Sequence, residues 1–124
     1  MVRLMAKRTA LLDPGVDPEF ERVFKALGDP TRLAVVQRLG RGPAATSELA
    51  DGFDMALPSF LQHLKVLEDS GLVASHKQGR VRTYRLTPEP LRAAERWLSE
   101  QRDVWERRLD RLDEHLHEMH KEHP

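Results

Sequence analysis

The segment that most constrains this chain runs from Ala56 to Leu86, ALPSFLQHLKVLEDSGLVASHKQGRVRTYRL. It opens with an amphipathic helical run. On a helical wheel Leu57, Phe60, Leu61, Leu64 and Leu67, with the stem of Glu68, fall on one side; Ser59, Gln62 and Val66 fall on the other, flanked by Pro58, His63 and Lys65. Gly71 closes that helix. Leu72 to His76 and Val81 to Leu86 then read as the arms of a hairpin, with Lys77-Gln78-Gly79-Arg80 as its turn and Gly79 supplying a positive φ. A rigid helix with a free polar face, followed at once by a hairpin with a basic tip, suits a pair of elements that enters a DNA groove and grips the backbone beside it.

The flanking sequence supplies a frame for this pair. Asp17 can cap a helix that Pro18 opens and Gly28 ends; Asp29-Pro30 repeats the signal for a second helix, in which Leu33, Val36 and Leu39 are expected along one buried face before Gly40. A short helix of two turns is expected from Thr46 to about Gly52. Thr87-Pro88-Glu89 opens a last helix long enough to outrun the core of a chain this size. Along it Leu91, Leu98, Trp105, Leu112 and Met119 recur every seven residues, joined by Leu109 and Leu116, so a partner helix is the expected cover. Leu98, Trp105, Leu109, Leu112 and Leu116 are therefore the expected dimer interface. The fold class that follows is mainly α with a small β-hairpin, a winged helix-turn-helix with a long C-terminal dimerisation helix. Its expected divisions are an N-terminal arm over 1–18, the DNA-binding domain over 19–87 and the dimerisation helix over 88–124.

A formal net charge of zero seems to argue against a polyanionic partner, but the charges are unevenly placed. Residues 1–54 carry 8 basic and 8 acidic side chains, residues 55–86 carry 5 and 2, and residues 87–124 carry 7 and 10. A phosphate backbone meets the local field, so the middle segment keeps a basic footprint. The chain has no cysteine, which excludes disulfides, thiolate chemistry and any Cys-containing metal or redox site. Lys7 and Arg8 break up the apolar positions near the start, and no run is long enough for a bilayer, so a cytoplasmic protein with no membrane partner is expected.

The segments FKALGDPTRLAVVQRL (24–39), SELA (47–50), PSFLQHLKVLEDSGLV (58–73) and GRVRTYRL (79–86) together resemble the arsenical-resistance-repressor (ArsR) family of bacterial winged-helix regulators, in the family's order and spacing, over roughly residues 19–88. The resemblance implies a homodimer built through terminal helices, a helix-turn-helix near residues 46–70, repression at a double-stranded DNA operator, and release when an inducer binds. This sequence departs from the family in two places. The metal-sensing members carry a Cys-rich motif where this chain reads TSELADGF, so any inducer, whose existence and identity the sequence leaves open, is not sensed by thiols. Where the family often has a capping Ser ahead of the recognition helix, this chain has Ala56, so the cap either shifts to Asp54 or is lost.

Each candidate contact has an ordinary reading beside it. Ser59, Gln62, His63 and Lys65 are expected to meet bases or phosphates, Gln by bidentate pairing with adenine; otherwise they form a solvated helix face. Lys77, Arg80 and Arg82 are expected at phosphates or in the minor groove, and they also protect a hairpin edge from aggregation. Thr46 and Ser47 stand at a helix start, where phosphate binding and plain capping explain them equally. In the tail, His115, His117, His120 and His123 lie among acidic residues with i,i+3 pairs that share a helical face, but the spacing of the family's sensors with a site on this helix is not reproduced; a solvated helix end is expected and no metal or other cofactor. Trp97 and Trp105 fit a dimer core better than a small-molecule pocket. No nucleophile elbow or glycine-rich phosphate loop exists, so an enzyme is not expected. The rival class is a winged-helix protein-interaction module without sequence-specific DNA binding, which would more often show exposed aliphatic or aromatic anchors.

Overall fold

The computed structural model of the protein describes residues 17–122. The expected N-terminal arm, except its last two residues, and His123 lie outside them. The elements are α1 (Pro18–Leu27), α2 (Pro30–Leu39), β1 (Ala44–Ala45), α3 (Thr46–Ala50), α4 (Leu57–Asp69), β2 (Val73–Gln78), β3 (Val81–Leu86) and α5 (Pro88–Glu122). The described residues up to Leu91 form one compact unit and those from Arg92 a second.

The two Asp-Pro signals act as expected. Asp17 accepts from the Glu19 N–H at 2.9 Å, and Asp29 Oδ2 accepts from the Thr31 and Arg32 N–H groups at 2.8 and 3.1 Å, each cap followed by a Pro whose missing N–H costs nothing in a first turn. The core of the first unit gathers Val23 and Ala26 of α1, Val35 and Leu39 of α2, Leu49 of α3, Phe60, Leu64 and Leu67 of α4, and Leu72, Val73 and Tyr84 beside or within the hairpin. Phe53, in the turn between α3 and α4, stacks at a tilt on Phe60 with ring centroids 5.2 Å apart, which anchors that turn to the core.

The wheel reading erred on three leucines. Leu33 is 52% exposed, because the buried arc of α2 passes through Val35 and Leu39, one turn apart, and Leu33 lies about 200° round from Val35. In α4 the buried positions are Phe60, Leu64 and Leu67, while Leu57 and Leu61 are 53% and 41% exposed: the apolar stripe is wider than the arc that packs.

The sheet has three strands in the order β1-β3-β2, all antiparallel. β1, a strand not expected from the sequence, pairs Ala44 with Tyr84 and Ala45 with Thr83. The hairpin is longer and its turn tighter than expected. β2 runs on to Gln78, which pairs with Val81, leaving Gly79-Arg80 as a two-residue loop. Gly79 has φ +64° and among the described residues no non-glycine residue has positive φ, so only the first central residue of the turn is left-handed, the type II′ arrangement that suits strand twist.

α5 runs for 35 residues, about 52 Å at ~1.5 Å per residue. In the second unit Leu98, Trp105, Leu109, Leu112, Leu116 and Met119 are all exposed, Trp105 at 65%.

Candidate nucleic-acid interface

α4 begins at Leu57 with Pro58 in its first turn and Ala56 at its N-cap; the cap is lost rather than shifted to Asp54, since among the described residues no side chain bonds the first N–H groups. Its outward face carries Ser59, Gln62 and Lys65, all exposed, as the helical spacing requires. Leu57, Leu61 and Val66 are exposed on the same helix, so the face is polar but not purely so.

His63 differs from its neighbours. It is only half-buried because its ring turns toward the junction of α1 and α2, where Arg32 Nη1 lies 3.0 Å from Nδ1. The same guanidinium donates to Ala26 O at 2.7 Å through Nε and to Lys25 O at 3.3 Å through Nη2, so it is pinned to the C-terminal end of α1. Asp29 Oδ2 stands 3.7 Å from Nδ1, beyond hydrogen-bond range. The Arg32 backbone N–H bond, helped by the Thr31 N–H bond and the nearby Arg32 charge, holds the Asp29 carboxyl below its usual pKa despite some desolvation. Sequence reasoning saw Asp29 only as a cap and missed Arg32 altogether, since nothing local signals a contact between side chains 31 positions apart.

The wing presents its basic residues in register. Lys77 stands directly opposite Arg82, on the face that lower down carries buried Val73 and Tyr84. Like charges directly across strands are destabilising, so edge protection alone, which needs only one of them, explains the pair poorly. Arg80 occupies the tip. Arg82 is not a free cation: its Nη1 donates to Ser75 Oγ at 2.9 Å, Ser75 in turn donates to Glu68 Oε1 of α4, and the Arg82 carbonyl accepts from Thr46 Oγ1 at 3.2 Å. Burial and the Glu68 charge push the Tyr84 hydroxyl above its ordinary pKa, so it stays neutral. Thr46 is therefore the first helical residue of α3 rather than its cap. Ala45 holds the cap position, and its N–H donates to Glu48 Oε1 at 3.4 Å. Ser47 is exposed.

The tail histidines His115, His117 and His120 are exposed on α5, and among the described residues no three His, Asp or Glu side chains gather as a metal would need. No helix among the described residues is long and apolar enough to cross a membrane.

Residues 27–76, from the end of α1 into β2, match the family of helix-turn-helix domains. The chain is 44% identical over 73 residues to the HTH-type transcriptional regulator Rv2034 of Mycobacterium tuberculosis, covering 59% of this chain and 68% of that protein. It is 38% identical over 89 residues to the arsenical resistance operon repressor of Escherichia coli, covering 67% and 76%. The crystal structure of an ArsR family transcriptional regulator superposes with a TM-score of 0.69 at 57% identity, over 72% of this chain and 92% of that one. The chain belongs to the ArsR family. It is a DNA-binding transcriptional regulator with the winged helix-turn-helix fold, and it carries no cysteine. An ArsR-like regulator from Rhodococcus sp. superposes with a TM-score of 0.67 at 35% identity, covering 77% of this chain and 90% of that one. ArsR relatives are thus named as regulators of transcription, not as enzymes.

Proposed function

We propose that the protein is a homodimeric, sequence-specific repressor that docks two α4 helices in successive major grooves of an operator with inverted-repeat symmetry. The observation that carries this reading is the juxtaposition of the polar face of α4 with a wing whose tip is basic. Gln62 and His63 read base edges, with Ser59 and Lys65 beside them at bases or phosphates. Lys77 and Arg80 grip the flanking backbone; Arg82 adds charge while anchored to Ser75, and Thr46 and Ser47 lie near a phosphate. The residues divide into an arm (1–18), the DNA-binding domain (19–87) and a helix (88–124) whose Leu98, Trp105, Leu109, Leu112 and Leu116 pack on a second copy. The two copies set the operator symmetry, and the inducer acts without a thiol. The names of the relatives support repression.

The exposed Leu57, Leu61 and Val66 on α4 favour a second reading, a winged-helix module that binds protein through aliphatic anchors. Apolar side chains on a reading helix also meet thymine methyl groups, so the two readings are separated by measurement. Fluorescence anisotropy with the DNA upstream of the protein's own gene, against random duplex across a salt series, is expected to give selective binding with a steep salt slope. Equal, weak and salt-insensitive binding to both would refute the repressor reading in favour of the interaction module.

A further inference from the structure

We propose that Arg32, on a helix that holds none of the reading residues, sets what His63 can recognise. It makes Nδ1 an acceptor and so places the ring proton on Nε2, so that the group offered to DNA is a hydrogen-bond donor matched to an acceptor. This rests on the reading of α4 as the DNA-contacting helix.

An arginine guanidinium has N–H donors and no acceptor, and it does not deprotonate in proteins. With Nη1 at 3.0 Å from Nδ1, the ring nitrogen must be the acceptor and cannot carry a proton. The guanidinium cannot turn aside, since its Nε and Nη2 are committed to the carbonyls of Ala26 and Lys25. The neutral ring then has its one proton on Nε2. Among the described residues no buried side-chain nitrogen or oxygen lacks a hydrogen-bond partner. Among the described residues Nε2 has no partner, so it reaches solvent.

Its match is an acceptor: the N7 or O6 of guanine, the N7 of adenine, the O4 of thymine, or a phosphate oxygen. The exocyclic amines of adenine and cytosine are donors and are refused. Asp29, ionised and 3.7 Å from Nδ1, is the acceptor waiting for a proton at that nitrogen. Without Arg32 the ring can move its proton to Nδ1, facing Asp29, and Nε2 then turns from donor into acceptor.

Nitrogen NMR of the full chain, labelled at histidine and held at pH 8, reads the tautomer directly, with His63 assigned by the signals lost in His63→Ala. The expected result is an unprotonated Nδ1 and a protonated Nε2 in the wild-type protein, and growth of the Nδ1-protonated form in Arg32→Ala. A wild-type ring protonated at Nδ1 overturns the proposal and leaves the reading of α4 intact. This measurement decides even where Arg32→Ala fails to fold, and a folded Arg32→Ala with an unchanged tautomer also overturns it.

On duplexes from the upstream DNA, Arg32→Ala is expected to add no loss of selectivity when His63 is already Ala. Replacing purines by 7-deaza analogues, or single phosphates by methylphosphonates, tells a base acceptor from a backbone one: the arm that removes the acceptor weakens the wild-type protein and not His63→Ala. Undiminished binding of His63→Ala to every duplex would instead remove His63 from the interface and the proposal with it.

Discussion

Ala56→Ser is expected to stabilise the protein by restoring the cap that α4 lacks. Ala56 already has the extended backbone of a cap residue, φ −63° and ψ 140°, and its carbonyl accepts the first helical bond from the Phe60 N–H at 3.1 Å. Only the side-chain acceptor is missing. A cap oxygen ordinarily serves the second or third helical N–H, and Ser/Thr/Asn/Asp→Ala at such sites costs roughly 0.5–2 kcal/mol. Here the second helical residue is Pro58, which has no N–H, so Ser59 N–H is the single target and the gain belongs in the lower half of that range, about 0.5–1 kcal/mol. For a domain of this size that is a rise of roughly 2–5 °C in Tm. Thermal and urea melts followed by far-UV circular dichroism would measure it, at matched protein concentrations because the proposed dimerisation would make Tm concentration-dependent. Ala56→Asp supplies the same acceptor plus a negative charge suited to a helix N-terminus, so it should stabilise at least as well while weakening DNA binding if that helix end approaches phosphate. A Ser variant that melts with the wild-type protein, its urea slope unchanged, would refute the capping argument.

Gln62→Ala should narrow the gap between upstream and random DNA, whereas Arg80→Ala should weaken both alike and reduce the slope of log K against log salt by about 0.9, the signature of one lost phosphate contact; titrations at several salt concentrations separate them. Leu112→Asp should convert the dimer to monomer by light scattering after size exclusion, and an unchanged mass would refute the use of α5 as the interface. Leu64, which is fully buried, should cost roughly 2–5 kcal/mol when cut to Ala, read by urea unfolding. The Asp29 carboxyl is held below its unfolded value of 3.8, so its contribution is fully present above that pH and lost as pH falls through the lower folded value; Asp29→Asn should flatten that acid limb in melts below about pH 4.

What the sequence revealed depended on how local the determining interaction was. The α1 and α2 starts were legible because an Asp cap and a following Pro act within three residues, and the hairpin because Gly79 and two β-prone runs enforce it. β1 was not legible: two alanines have no strand preference, and the pairing is imposed by β3, forty positions away. Leu33, Leu57 and Leu61 were misplaced because periodicity gives the angles between side chains but not how wide an arc the rest of the chain will cover. At the candidate interface the exposed Ser59, Gln62 and Lys65 followed from helical spacing alone. The half-burial of His63 did not, because it comes from a bond between helices that no local pattern encodes.

The bonds around Arg82 explain how a small interface can hold two reading elements in a fixed relation. They run from Thr46 on α3 to the Arg82 carbonyl, from the Arg82 guanidinium to Ser75 on the facing strand, and from Ser75 to Glu68 on α4. Exposed bonds of this kind contribute little stability, on the order of 0.5–1.5 kcal/mol each at best. Their effect is geometric: they fasten the lower wing to both helices of the helix-turn-helix by directional contacts, on top of the packing of Val73 and Tyr84. Past Ser75 and Arg82 those ties end, and among the described residues neither Lys77 nor Arg80 bonds through its side chain. The basic residues of the wing therefore divide by role. Arg82 is spent on holding the hairpin in place, and Lys77 and Arg80, carried out beyond the last tie, keep their charge for a partner. That division is why removal of Arg80 should read as one lost phosphate contact, while removal of Arg82 should disturb the placement of the whole wing.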